Sequence, residues 1–150
     1  MKDGLEKQRA AGALLYETYA LGLLADACIT NGRYGQAFDF LSQAEPRLES
    51  ERDSDRFYAS EIYRLFGEAN LRSGNDVARA EQYFSQGLAI AREQGSKSFE
   101  LRLLSSACDL EESPHIDAFR KQLAELYLTF GEGFDTADLV KAGERCRTLT

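Results

Sequence analysis

One histidine, three cysteines and a few close-set polar groups are the residues here whose types could do chemistry. His115 follows Pro114 at what reads as a helix start, with no cysteine or carboxylate at ligand spacing. It reads as exposed surface, not as a metal ligand or general base. Cys28, Cys108 and Cys146 are far apart, each among apolar neighbours, and their spacing fits no zinc site; they read as small buried hydrophobes. Glu111 and Glu112 would need to face one another to act as an acid–base pair, whereas adjacent helical residues point about 100° apart. Gly95-Ser-Lys-Ser98 echoes a phosphate loop but lacks its first glycine and the strand before it, so it reads as one helix end and the next N-cap. Gly131-Glu-Gly133 lacks the same context. It reads as a hinge, with both glycines left-handed and Phe130 and Phe134 plugging the end of the array. No nucleophile–base or metal constellation emerges. The expectation is a non-enzymatic protein with no catalytic, cofactor-binding or metal residues.

The elements that hold these residues are legible from composition and period. The chain has 150 residues, most simply one domain, enough to bury about 70% of its unfolded surface. A net charge of −7 argues against nucleic acid and anionic membranes, both of which call for a basic face. No run of roughly eighteen apolar residues occurs, and Lys2, Asp3, Glu6, Lys7 and Arg9 stand where a signal peptide would be apolar. The expected location is the cytoplasm. Two prolines, scarce β-branched residues and abundant Ala, Leu, Glu, Arg and Gln favour helix nearly throughout.

A repeat organises those helices. Leu21-x-x-Leu24-Ala25-x-x-Cys28, Tyr63-x-x-Phe66-Gly67-x-x-Asn70 and Leu101-x-x-Leu104-Ser105-x-x-Cys108 share one pattern. Spacings of three and four put each set on one stripe, and the small residue admits a partner helix. The partners carry Ala37 and Leu41, Ala80 and Phe84, and Phe119 and Leu123. Asn31-Gly32 and Ser73-Gly74-Asn75-Asp76 punctuate the breaks, and Ser113-Pro114 reads as an N-cap with proline at the first helical position. The expected helices are 4–11, 14–31, 34–50, 56–73, 76–94, 97–111, 114–130 and 136–148. Ala25, Gly67 and Ser105 are spaced 42 and then 38 positions, longer than the tetratricopeptide period of about 34. The fold class expected is therefore all-α, a TPR-like superhelix of antiparallel hairpins. Its parts are a partial repeat at 1–12, repeats at about 14–50, 56–94 and 97–130, and a capping helix at about 136–148. That last helix is expected to turn Leu139, Val140, Gly143 and Cys146 inward, with Thr136 as its N-cap and Asp135 the alternative.

Four segments in order, Phe57 to Glu68, Ala80 to Arg92, Ser98 to Arg102 and Glu132 to Leu139, resemble the C-terminal repeat region of large bacterial signalling proteins. Those proteins join a cyclase or DNA-binding domain to a STAND-type ATPase and then to helical repeats. The resemblance implies a regulatory, protein-binding module in such a protein; the alternative is a free-standing adaptor that binds a peptide or small effector. Alanine at 137 stands where that family often has proline.

Stacked hairpins present a curved wall built from their first helices. Tyr19, Asp26, Glu61, Arg64, Glu68, Arg72, Arg102 and Asp109 lie beside the buried stripe there. They are the candidate partner-binding residues for a protein or peptide of unknown identity. Their mixed charge makes a poor clamp for a C-terminal carboxylate. The plainer reading is a solvated wall with helical pairs such as Arg64–Glu68 and Glu68–Arg72. At the other end, Leu5, Leu14, Leu15 and Tyr16 flank a missing neighbour, and a homodimer through the N-terminal helices would cover them.

Overall fold

In the computed structural model, residues 16–49 and 56–148 are described, and every regular element among them is an α-helix. They are α1 (Glu17–Thr30), α2 (Tyr34–Leu48), α3 (Ala59–Gly74), α4 (Val77–Glu93), α5 (Lys97–Ala107), α6 (Ile116–Tyr127) and α7 (Ala137–Arg147). The expected helix 4–11, the partial repeat 1–12 and Leu5, Leu14 and Leu15 lie outside the described residues.

Short punctuated turns join α1 to α2 and α3 to α4, and both pairs pack closely. Gly32 reverses the chain at φ 72°. After α3 the left-handed residue is Asn75, at φ 51°, and Asp76 Oδ1 then accepts from the Arg79 N–H at 3.1 Å. Gly95, at φ 66°, ends α4 before Ser96 at the N-cap of α5. α2 runs through Pro46 in its last turn, where the proline lacks the N–H that would bond four residues back, and the helix ends two residues later.

Burial follows the repeat stripes. Ala25, Ala37, Leu41, Ala80, Phe84, Leu101, Leu104 and Leu123 are at most 1% exposed. One apolar cluster joins α1, α2 and α3; a second joins α4 to α7. Glycines let the helices approach closely. A Cβ at Gly67 would stand 2.3 Å from the Phe84 ring, and one at Gly87 2.7 Å from Leu103. Tyr83 of α4 stacks on Phe66 of α3 at 4.9 Å. Each odd-numbered helix also packs on the next: α1 on α3, α3 on α5 and α5 on α7.

Several expectations need correction. Leu24 is 48% exposed, because Gly22 draws α1 onto the Tyr58 ring, 2.6 Å from a Cβ placed there, and turns Leu24 away. α3 starts at Ala59, after a turn at Phe57 and Tyr58. α5 ends at Ala107, not near 111: Asp109 and Leu110 bond back three residues, to Ser106 and Ala107, and so bury Leu110 completely. Glu111 and Glu112 thus lie in a turn. α6 is capped by His115 and not by Ser113, whose hydroxyl accepts from the His115 N–H at 3.0 Å in a local turn. Gly133 takes the left-handed conformation, at φ 78°, and Gly131 does not. Phe134 is half-exposed, edge-on to Tyr127, and only Phe130 packs into the core. On α7, Leu139, Ala142 and Gly143 are buried while Val140 is 43% exposed. The Tyr127 hydroxyl, 2.9 Å from a Cβ at Gly143, sets that rotation.

Candidate functional site

The odd-numbered helices bring most of the predicted wall residues together around one guanidinium. Arg64 of α3 donates from Nε and Nη2 to both oxygens of Glu61, at 3.0 and 2.7 Å. Its Nη1 donates to Glu68 Oε1 at 2.5 Å and to Ser106 Oγ at 3.3 Å. The Ser106 hydroxyl in turn donates to Glu68 Oε1 at 2.7 Å. Arg102 of α5 reaches Glu61 at 2.8 Å and Asp138 of α7 at 3.5 Å, and Arg72 reaches Glu68 at 3.4 Å. Helical spacing makes this possible: Glu61, Arg64 and Glu68 share one face of α3, and Arg102, Ser105 and Ser106 share the facing side of α5.

Glu61, Arg64 and Glu68 are not a solvated wall, being 1%, 6% and 6% exposed. Burial alone would lower the Arg64 pKa, but the adjoining carboxylates of Glu61 and Glu68 outweigh it and push the guanidinium further toward its charged form. Burial likewise pushes the Glu68 carboxyl up, and Arg64, the Ser106 hydrogen bond and Arg72 together hold it below the usual carboxylate range. The pairs are complete because each buried charge has an opposite charge and hydrogen bonds.

Beside this network is a cavity of about 190 Å³ lined by Asp26, Arg64, Arg102, Ser105, Ser106, Asp138 and Lys141. Every one of these stands on α1, α3, α5 or α7. Ser105 is 3% exposed and its hydroxyl has no hydrogen-bond partner. Tyr58, at the N-terminus of α3, sits edge-on to Tyr19 of α1 and near Phe99 of α5, with ring centroids at 5.1 and 5.8 Å. That aromatic row ties the same three helices at one end. Burial first, and then Glu61, push the Tyr58 hydroxyl up to about 12.

No protein-family model, curated protein or solved structure matches this chain.

Of the eight predicted wall residues, Asp26, Arg64 and Arg102 line the cavity, Glu61, Glu68 and Arg72 belong to the network beside it, and two stand apart from both. Tyr19 packs on Tyr58. Asp109 pairs with Arg145 of α7 at 2.7 Å, in a separate pocket that also includes Cys108, Arg120 and Thr148. Tyr16 is 68% exposed. Asp138 and Lys141 escaped the sequence reading because the facing of α7 is set by Tyr127 and not by its own pattern.

His115 is exposed, as its sequence context implies, and it also has a partner on α4. Its Nδ1 lies 2.6 Å from Glu81 Oε1, and the Ser113 hydroxyl donates to the other oxygen of Glu81. Glu81 is 34 residues earlier, beyond any local spacing rule. Glu81 sits between serine and imidazole, so the three do not form a relay that activates a hydroxyl.

Cys108 is buried and Cys28 and Cys146 are half-buried; all three are free. Burial pushes the Cys108 thiol up to about 11 and raises Cys146 as well. Among the described residues no three His, Cys, Asp or Glu side chains are grouped to hold a metal ion, and no helix is long and apolar enough to cross a membrane.

Proposed function

We propose that this chain is a TPR-like repeat module that binds a protein or peptide on the wall of α1, α3, α5 and α7. In this reading it regulates or scaffolds a bacterial signalling ATPase, cyclase or transcription regulator. The supporting observation is the unbroken run of contacts α1–α3, α3–α5 and α5–α7. That run aligns Asp26, Arg64, Arg102 and Lys141 along one surface, as stacked helical hairpins do when they form a concave binding face. The parent class rests on the resemblance of residues 57–68, 80–92, 98–102 and 132–139.

Peptides selected from a random display library on the wild type test the wall. They should lose most of their affinity for Arg72→Ala and Arg102→Ala variants, whose side chains are partly exposed. A library yielding no saturable binder, or binders indifferent to both changes, overturns the reading. An ATPase encoded upstream in the same frame decides for the signalling parent over the free-standing adaptor. The adaptor reading is favoured by the cavity within the wall, which suits a small effector.

A second copy of the chain is the proposed cover for the outer face of α1. There Tyr16, Leu23 and Leu24 are 68%, 47% and 48% exposed.

A further inference from the structure

The charges of the wall fall into two groups. Glu61, Glu68 and Asp138 pair with Arg64, Arg72 and Arg102, so that network balances to zero. Asp26 and Lys141 line the same cavity, and among the described residues neither side chain has a hydrogen bond or a contact ion pair. At longer range Arg64 feels Asp26 and Glu68 feels Lys141. Asp26 comes from α1 and Lys141 from α7, so the two unpaired charges enter the cavity from the first and last helices of the wall. The buried Ser105 hydroxyl, without a partner, lines the space with them. A buried hydroxyl left unpaired costs free energy that a bound polar group would remove.

These groups select a ligand by charge pattern. A lone anion attracted to Lys141 would also meet Asp26, Asp138 and the carboxylates behind them. A lone cation attracted to Asp26 would meet Arg64 and Arg102. A ligand carrying both charges satisfies Asp26 and Lys141 together and leaves the balance of the network unchanged. The volume of about 190 Å³ falls below the roughly 300–1,000 Å³ of pockets that take drug-sized ligands, which limits that ligand to a few heavy atoms. We propose that the cavity binds a small zwitterion of the α-amino-acid class, with its ammonium at Asp26, its carboxylate at Lys141 and a hydrogen bond to Ser105. The proposal rests on the wall being the contact surface of a binding module, and it names the small effector of that surface.

Isothermal titration of the 150-residue chain with individual amino acids, and with methylammonium and acetate as half-ligands, tests it. At least one amino acid should bind saturably, and each half-ligand at least tenfold more weakly. Asp26→Asn and Lys141→Met should each weaken the amino acid at least tenfold, with melting temperatures matching wild type. Ser105→Ala should weaken it less. The half-ligand comparison uses wild type alone and so stands even if a variant folds poorly. Absence of saturable amino-acid binding, a half-ligand that matches the zwitterion, or binding indifferent to both charge changes overturns the proposal. Display-selected peptides that still depend on Arg72 and Arg102 would then leave the module reading intact, so the two failures are separable.

Discussion

Arg64 is 6% exposed between Glu61 and Glu68, and burial of that kind makes its loss costly in a specific way. Arg64→Met would leave buried Glu61 to Arg102 and buried Glu68 to the more distant Arg72, and breaking a buried pair in this way typically costs about 3–5 kcal/mol. Adding Glu61→Gln and Glu68→Gln should recover most of that loss, since the deficit comes from uncompensated charge and not from lost volume; denaturant titration of both variants checks this. The same network gives stability a pH dependence at both ends. Glu68 is held below the usual carboxylate range when folded, so its contribution is complete above that range and is lost as pH falls through the depressed value. Glu68→Gln should flatten that acid limb. Tyr58 has the opposite sign: its hydroxyl is raised from 10.0 to about 12, so stability is complete below 10.0 and is lost as pH rises toward about 12. Tyr58→Phe should remove that alkaline loss, measured as melting temperature against pH. The helical period names Glu61, Arg64, Glu68 and Arg102 as neighbours. Their burial was not legible, because it depends on Ser106, 42 residues beyond Arg64, and on the rotation of α7. The Glu81–His115 contact, 34 residues apart, was hidden for the same reason.

Helix contacts turn on a few positions without a side chain. Gly67 and Gly74 stand on the same helix and predict opposite outcomes. A Cβ at Gly67 would meet three ring atoms of Phe84 at 2.3–2.9 Å, so Gly67→Leu forces α3 and α4 apart. Overpacking of this kind costs typically about 1–3 kcal/mol, and the loss should exceed that from any surface change. Gly74 has nothing within 4 Å and no positive φ, so Gly74→Ala should stabilise by about 0.4–1 kcal/mol through the unfolded state. Thermal melts of the two variants, run together, measure the contrast; a Gly67→Leu melt equal to wild type would remove the close approach from the account. At this scale the sequence was most readable. Stripes such as Leu101, Leu104 and Leu123, and stops such as Gly32 and Asn75, report on their own segment. The ends that drifted were those decided elsewhere. α5 stops early because Leu110 turns into the core, and α6 starts late because the Ser113 hydroxyl donates to Glu81.

At the scale of the whole molecule the two ends of the helix series behave differently. α7 closes one end: Leu139 and Ala142 join the cluster that contains Leu104 and Leu123, while Glu144 and Arg147 are exposed. Deleting residues 135–150 should therefore expose apolar surface, seen as dye binding and aggregation, since arrays need polar ends. Among the described residues, the outer side of α1 is not polar in this way. Leu21, Ala25 and Ile29 face α2 and α3, while Tyr16, Leu23 and Leu24 are exposed on the other side. A helix apolar on both sides is normally a buried one. The two-fold dimer proposed above would lay this face against itself, so that each exposed leucine is covered by the same surface of a second copy. Sedimentation over a range of concentrations should show wild type self-associating and a Leu23→Glu/Leu24→Glu variant remaining a monomer with an unchanged melting temperature. Both leucines are about half-exposed, so the double change tests the contact and not the core. A wild type that stays monomeric at high micromolar concentration ends the dimer reading, and a dimer indifferent to the double change moves its interface away from α1.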